Sequence, residues 1–149
     1  MASMSWDGRK EAMGLLARAD MSLLDHLCQE AGLPRETRVV RPPETGLVTL
    51  RGRIGGGGSP FNVGEVTVTR ASVEIDGHIG HAYALGRDRK KALQSAICDA
   101  LCQDEMRREM IEQQILKPLR KAEQEADLRR AAETAATKVD FFTMVRGED

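Results

Sequence analysis

The stretch from Gly46 to Leu85 restricts the fold more than any other part of the chain, because its side chains alternate with a period of two. In "GLVTLRGRI", Val48, Leu50, Gly52 and Ile54 alternate with Thr49, Arg51 and Arg53, the pattern of a half-buried strand. "GEVTVTRASVEIDG" alternates again, but Val66 and Val68 share one parity while Val73 and Ile75 share the other. That phase change predicts a β-bulge near Arg70 and Ala71, since one extra residue moves every later side chain to the opposite face. Asp76-Gly77 is a type I′ hairpin signal. Beyond it, "HIGHAYAL" sets Ile79, His81, Tyr83 and Leu85 on one face and Gly80, Ala82 and Ala84 on the other. Three or four antiparallel strands follow.

Helical patterns flank this block. Two short helices open the chain. The first has an apolar side outlined by Trp6, Met13, Leu15, Leu16 and Ala17. The second is capped by Asp20 or Ser22, carries Leu23, Leu24, Leu27 and Cys28, and is stopped by Gly32 and Pro34. From Asp88 onward, Leu93, Ile97 and Leu101 recur at four-residue steps with Ala96 and Ala100 beside them. Pro118 kinks that run or starts a new helix. The segment after it is rich in Ala, Glu and Arg, a good helix former with little to bury. Strands followed by helices predict an α+β fold: an antiparallel sheet of three to five strands, with the N-terminal helices and a long C-terminal helical region on one face, ending in an extended apolar tail. The 149 residues make one domain, with 139–149 as that tail.

Four consecutive glycines, Gly55 to Gly58, precede Ser59-Pro60. A phosphate-binding P-loop would follow its glycines with a lysine and a helix. Here no lysine appears and the next residues alternate as a strand, so the run is read as a strand-to-strand loop. A net charge of −1 gives no global attraction to nucleic acid or membrane. One Trp, one Tyr and three Phe are too few and too scattered for a base-stacking surface. No apolar window reaches the ~18 residues of a membrane span. With no export signal and three cysteines in no framework spacing, a cytoplasmic chain with free thiols is expected.

Chemistry-bearing residues are sparse. In "LGRDRKKA", Asp88 can cap an incoming helix, yet Arg87, Arg89, Lys90 and Lys91 crowd its positive end, where cations oppose the macrodipole. Arg87, Arg89 and Lys90 are therefore candidate anion-binding residues, against the alternative of a solvated helix start. His26, His78 and His81 form no metal-ligand pattern. Cys98 and Cys102 share a helical face without a second ligand pair, which favours buried small hydrophobes over a metal or cluster site. No nucleophile elbow, Ser-His-Asp order or dinucleotide fingerprint is present. No catalytic, metal or cofactor residue is assigned to this chain.

The C-terminus places Val139, Phe141, Phe142, Met144, Val145 and Arg146 after a polar helix. Termini are usually polar and frayed unless something holds them. This tail either folds back on its own sheet or docks into another subunit.

"ETGLV" at Glu44–Val48, the glycine-rich loop, "TRASV" at Thr69–Val73, "LGRD" at Leu85–Asp88 and above all "VDFFTMVRG" at Val139–Gly147 resemble the PhnG family, the G subunit of the bacterial carbon–phosphorus lyase core complex. The resemblance spans most of the chain. It implies a cytoplasmic hetero-oligomer with the H, I and J subunits. It also implies participation, with the H, I and L subunits, in making α-D-ribose 1-methylphosphonate 5-triphosphate from ATP and a phosphonate. The later radical step, with its S-adenosylmethionine and iron–sulfur cluster, is implied for the J subunit, so neither group is expected here. The resemblance favours the docking role for the tail and a non-catalytic subunit. The alternative is that the basic residues contribute directly to triphosphate or phosphonate binding at a shared active site.

Overall fold

A computed structural model describes residues 6–34, 36–53 and 57–136. Three antiparallel strands, β1 (Arg38–Gly52), β2 (Phe61–Ile75) and β3 (His78–Leu85), lie in the order β1-β2-β3. Before them come α1 (Trp6–Arg18) and α2 (Met21–Glu30). After them come α3 (Arg89–Cys102), α4 (Glu105–Ile111), a π-helical segment (Glu112–Leu116) and α5 (Lys117–Ala136). The α+β architecture is the expected one, with helices on one face of the sheet.

Turn chemistry acts where the residue types require it. Asp76 and Gly77 both adopt positive φ (49° and 82°) and join β2 to β3 through the Ile75–His78 pair, the type I′ geometry whose twist matches the strands. Gly52 pairs with Phe61, which closes the antiparallel β1–β2 pair; Gly55 and Gly56 of the glycine run lie outside the described residues. Of the two caps proposed for α2, Asp20 is the one used: its carboxylate accepts the Leu23 N–H at 3.0 Å.

Two bulges lie in β1 and a third in β2, and none adds a residue to β2 near Arg70 and Ala71. β2 pairs with β3 without interruption from Val68–Leu85 to Ile75–His78. The register breaks fall between Val39 and Arg41, between Arg41 and Glu44, and between Leu50 and Arg51. The first two each place an extra residue in β1, and the second spans Pro42-Pro43; at the third the extra residue is Val63 of β2. Prolines cannot donate to a ladder, but they are accommodated at a bulge on an edge strand, so β1 begins at Arg38, well before the alternating segment. The parity change in β2 has another cause. Its odd residues Thr69, Ala71 and Val73 face the helices and are buried, whereas half-buried Val66 and buried Val68 belong to the other face.

α3 forms the centre of the core. Ala92, Ala96, Ala100, Ile97 and Leu101 are buried with Ala71 and Val73 of β2 and Ala82 and Ala84 of β3. The small face of β3 points inward and its large residues point out, because α3 lies almost on the strand. A Cβ placed on Gly80 would sit 2.0 Å from the Ala96 carbonyl oxygen and 2.5 Å from the Ala100 nitrogen. Leu15 and Leu16 of α1, Leu24 and Leu27 of α2, and Ile111, Ile115, Leu116 and Leu119 complete the core. The run expected as one helix from Asp88 breaks after Cys102, and Asp104 caps α4 by accepting the Met106 N–H. Pro118 is the second residue of α5, directly after the π turn. There the Lys117 N–H reaches back to Glu112, and the widened turn adjoins the position where proline supplies no donor.

Among the described residues β3 pairs only with Val68–Ile75, and Phe61–Thr67 of β2 has β1 as its sole strand partner. This two-stranded ribbon extends roughly 20 Å past the helix-backed sheet.

Candidate functional site

The β3–α3 junction holds the candidate anion-binding cations. Gly86, at φ 89°, turns the chain and is held on both sides: its N–H donates to the Thr67 carbonyl (2.9 Å), and its carbonyl accepts from the buried Thr69 hydroxyl (2.9 Å). Asp88 then caps α3 by accepting the Lys91 N–H at 2.9 Å. The three cations separate. Lys90 Nζ lies 2.7 Å from Asp25 of α2. Hydrogen bonds from Lys90, then Gln94 and Gln29, lower the Asp25 carboxyl to about 2. Arg87 and Arg89 stay exposed, with no ion pair among the described residues. The neighbouring Lys91 is buried, and desolvation lowers its pKa against the opposing pull of Asp88 and Asp20. Asp25, Cys28, Lys90 and Gln94 line a cleft of about 530 Å³ between α2 and α3.

A second polar cluster was not legible in the sequence. Asp99 of α3, about 2% exposed, accepts from Arg9 Nε (2.8 Å) and Nη2 (2.7 Å) of α1 and from the His81 backbone N–H (2.8 Å) of β3. Its hydrogen bond and charge raise the Arg9 pKa further. The residues lie 90 and 18 positions from Asp99, so no local motif could announce the cluster. One carboxylate thereby ties helix to helix and satisfies the free edge of β3, while Gln103 Nε2 donates to the Ile79 carbonyl (2.7 Å) on the same edge. Ser72 Oγ sits 2.8 Å from His81 Nδ1, which places Ser, His and Asp together without making a catalytic triad. The carboxylate binds the His81 main chain rather than its ring, and the serine occupies Nδ1, where a triad's orienting acid belongs. A cavity of about 630 Å³ lies here between α1 and β3, with Lys10, Met13 and Tyr83 in its wall.

Cys28, Cys98 and Cys102 are free and buried. The Cys28 thiol pushes Cys98 well above its ordinary value, and burial adds to that; burial followed by Asp99 raises Cys102 to about 12. Thiols held protonated in this way are poor ligands and nucleophiles. His26 lies on the surface, its Nε2 3.4 Å from the Glu30 carboxylate. Among the described residues, no three His, Cys, Asp or Glu side chains converge to hold a metal ion. Nor is any helix among them long and apolar enough to cross a membrane.

The sheet face away from the helices is open. Ile79, Tyr83 and Leu85 are 42–56% exposed. Across the register, Arg70 faces Tyr83 on one side and Glu44 on the other, bonding to the Glu44 carboxylate at 3.1 Å. Val139, Phe141, Phe142, Met144, Val145 and Arg146, the candidate docking residues of the tail, lie outside the described residues.

A helix-backed sheet with one apolar face uncovered is the form of an α+β module with a surface open to association. The chain belongs to the PhnG family: the family model for phosphonate metabolism protein PhnG matches residues 7–147. It is 49% identical, over 142 residues, to the α-D-ribose 1-methylphosphonate 5-triphosphate synthase subunit PhnG of Rhizobium meliloti (strain 1021), covering 95% of this chain and 90% of that one.

Proposed function

We propose that this chain is a non-catalytic subunit of an α-D-ribose 1-methylphosphonate 5-triphosphate synthase in organic phosphonate catabolism. In this reading it works in the cytoplasm with the H, I and L subunits and assembles with H, I and J in a carbon–phosphorus lyase core complex. The observation that carries the reading is the uncovered apolar sheet face, in a chain 49% identical to a named synthase subunit across nearly its whole length. Surfaces of this kind are retained where another protein covers them. The apolar tail, 139–149, supplies a further docking element. The chain carries no cofactor of its own, in keeping with Cys98 and Cys102, which are buried and held as thiols.

Co-expression with the H, I and J subunits tests this. The wild-type chain co-purifies with them. Phe141→Ala combined with Phe142→Ala releases it while its helical circular dichroism stays unchanged, and intact co-purification of that double variant would remove the tail's role.

A second reading is favoured by one observation, that Arg87 and Arg89 remain exposed without ion partners among the described residues at the start of α3. They would then hold a triphosphate or phosphonate at a shared site. Arg87→Glu with Arg89→Glu separates the two readings in the assembled complex. Retained turnover supports the non-catalytic role, and lost turnover with assembly intact supports the second.

A further inference from the structure

The far part of the β1–β2 ribbon, Leu47–Gly52 with Phe61–Thr67, carries exposed apolar side chains on both faces. Register assigns its side chains. Val48 and Leu50 lie on the side continuous with the open sheet face, and Leu47, Phe61 and Val63 lie on the other. These five are 40–64% exposed. An isolated two-stranded ribbon is marginally stable in water, because it has no third layer on which to bury a face. A long exposed apolar strand edge also invites aggregation unless it is covered. With Val39, Val40 and the three large residues of β3, the ribbon leaves on the order of 900 Å² of apolar-residue surface in water, against ~800 Å² contributed by each partner to a standard interface.

From this two-sided exposure we infer that the ribbon inserts into a cleft of a different, larger subunit of the synthase, whose two apolar walls cover both of its faces. The inference rests on the subunit reading above and names the surface and the shape of its partner. A flat partner could cover the open sheet face but would leave Leu47, Phe61 and Val63 in water. A second copy of this chain, stacking ribbon on ribbon, covers one face of each and leaves the other bare. Charge gives the cleft a polarity. Arg51 near the end of β1 and Arg53 just past it are exposed and without ion pairs among the described residues, as is Glu65 farther back on β2, whereas the Glu44–Arg70 pair at the root of the ribbon is already satisfied. The far end of the cleft, which receives the ribbon tip, therefore carries carboxylates, and its core is aliphatic or aromatic.

Hydrogen exchange on the isolated chain and on the co-expressed complex reads the insertion directly. In the isolated chain the amides of 47–52 and 61–66 exchange fast; in the complex they slow by ~100-fold. Leu47→Glu with Val63→Glu removes the chain from the complex without changing its own thermal midpoint, because both residues are exposed. Leu128→Glu, at a residue 72% exposed on α5, leaves co-purification intact. Arg51→Glu with Arg53→Glu weakens retention, and the loss is larger at low salt than at high salt. If the wild-type chain captures no synthase subunit, the subunit reading and this inference fall together. If it captures them while the ribbon amides stay unprotected, the inference alone falls. It also falls if the ribbon is protected equally in a homodimer of the isolated chain.

Discussion

Replacing Gly80 with alanine tests the packing on which the whole sheet-to-helix arrangement depends. In ordinary strand geometry, glycine to alanine at a position that tolerates a side chain stabilises by roughly 0.4–1 kcal/mol, because the unfolded chain loses freedom. Gly80 is not such a position. Its new methyl group would meet the Ala96 carbonyl oxygen at 2.0 Å, the Ala100 nitrogen at 2.5 Å and the Ala100 Cβ at 2.8 Å. The first two are backbone atoms inside a helix and cannot rotate away. α3 must therefore lift from β3 by more than 1 Å, near the typical limit of what overpacking allows. That lift also strains the two side-chain links from α3 to the β3 edge, Asp99 to the His81 N–H and Gln103 to the Ile79 carbonyl. The expected loss is about 3 kcal/mol, or a fall in midpoint of roughly 6–12 °C for a chain of this length. Urea and thermal denaturation of the isolated chain measure it. Gly46→Ala serves as the control, since nothing lies within 4 Å of a Cβ there. A Gly80→Ala variant within 0.5 kcal/mol of wild type would show that α3 does not lie on β3 at this distance.

Two further outcomes follow from the buried groups. Asp99→Ala strands the Arg9 guanidinium and the His81 N–H, a loss of about 3 kcal/mol; a double-mutant cycle with Arg9→Ala should give coupling of at least ~1.5 kcal/mol, and a value under ~0.5 would mean the pair is incidental. The Cys102 thiol titrates at about 12 in the fold against ~8.5 unfolded. Because the folded value is the raised one, its contribution is complete below pH ~8.5 and is lost as the pH rises toward 12. Unfolding free energy should fall by about 1 kcal/mol per pH unit from this thiol between pH 9.5 and 11, and Cys102→Ala should flatten that slope. An unchanged slope would place the alkaline sensitivity elsewhere.

Local rules carried the elements whose causes are local. Asp76-Gly77 announces its turn because only certain residues take positive φ twice in succession, and Asp20, Gly32 and Asp88 mark helix ends through bonds formed within a few residues. The inward face of β3 was also readable as a face. Its polarity was not, because Gly80, Ala82 and Ala84 look like the weaker side until α3 is laid against them. The parity change in β2 was visible and its cause was misplaced. Alternation records only which residues are apolar, whereas a bulge is a relation between two strands, and here it sits in β1 beside Pro42-Pro43.

Composition, period and short-range bonding thus determined an α+β chain with a hairpin, helices before and after the strands, and a cluster of cations at the start of α3. Tertiary structure alone decided the rest. It assigned Lys90 to Asp25 and left Arg87 and Arg89 in water. It joined Arg9, His81 and Asp99 across 90 residues of sequence. It carried β1 and β2 past β3 into a ribbon whose apolar side chains are exposed on both faces. Burial, pairing and exposure depend on what lies opposite a residue in space, and a linear sequence specifies that only through the complete fold.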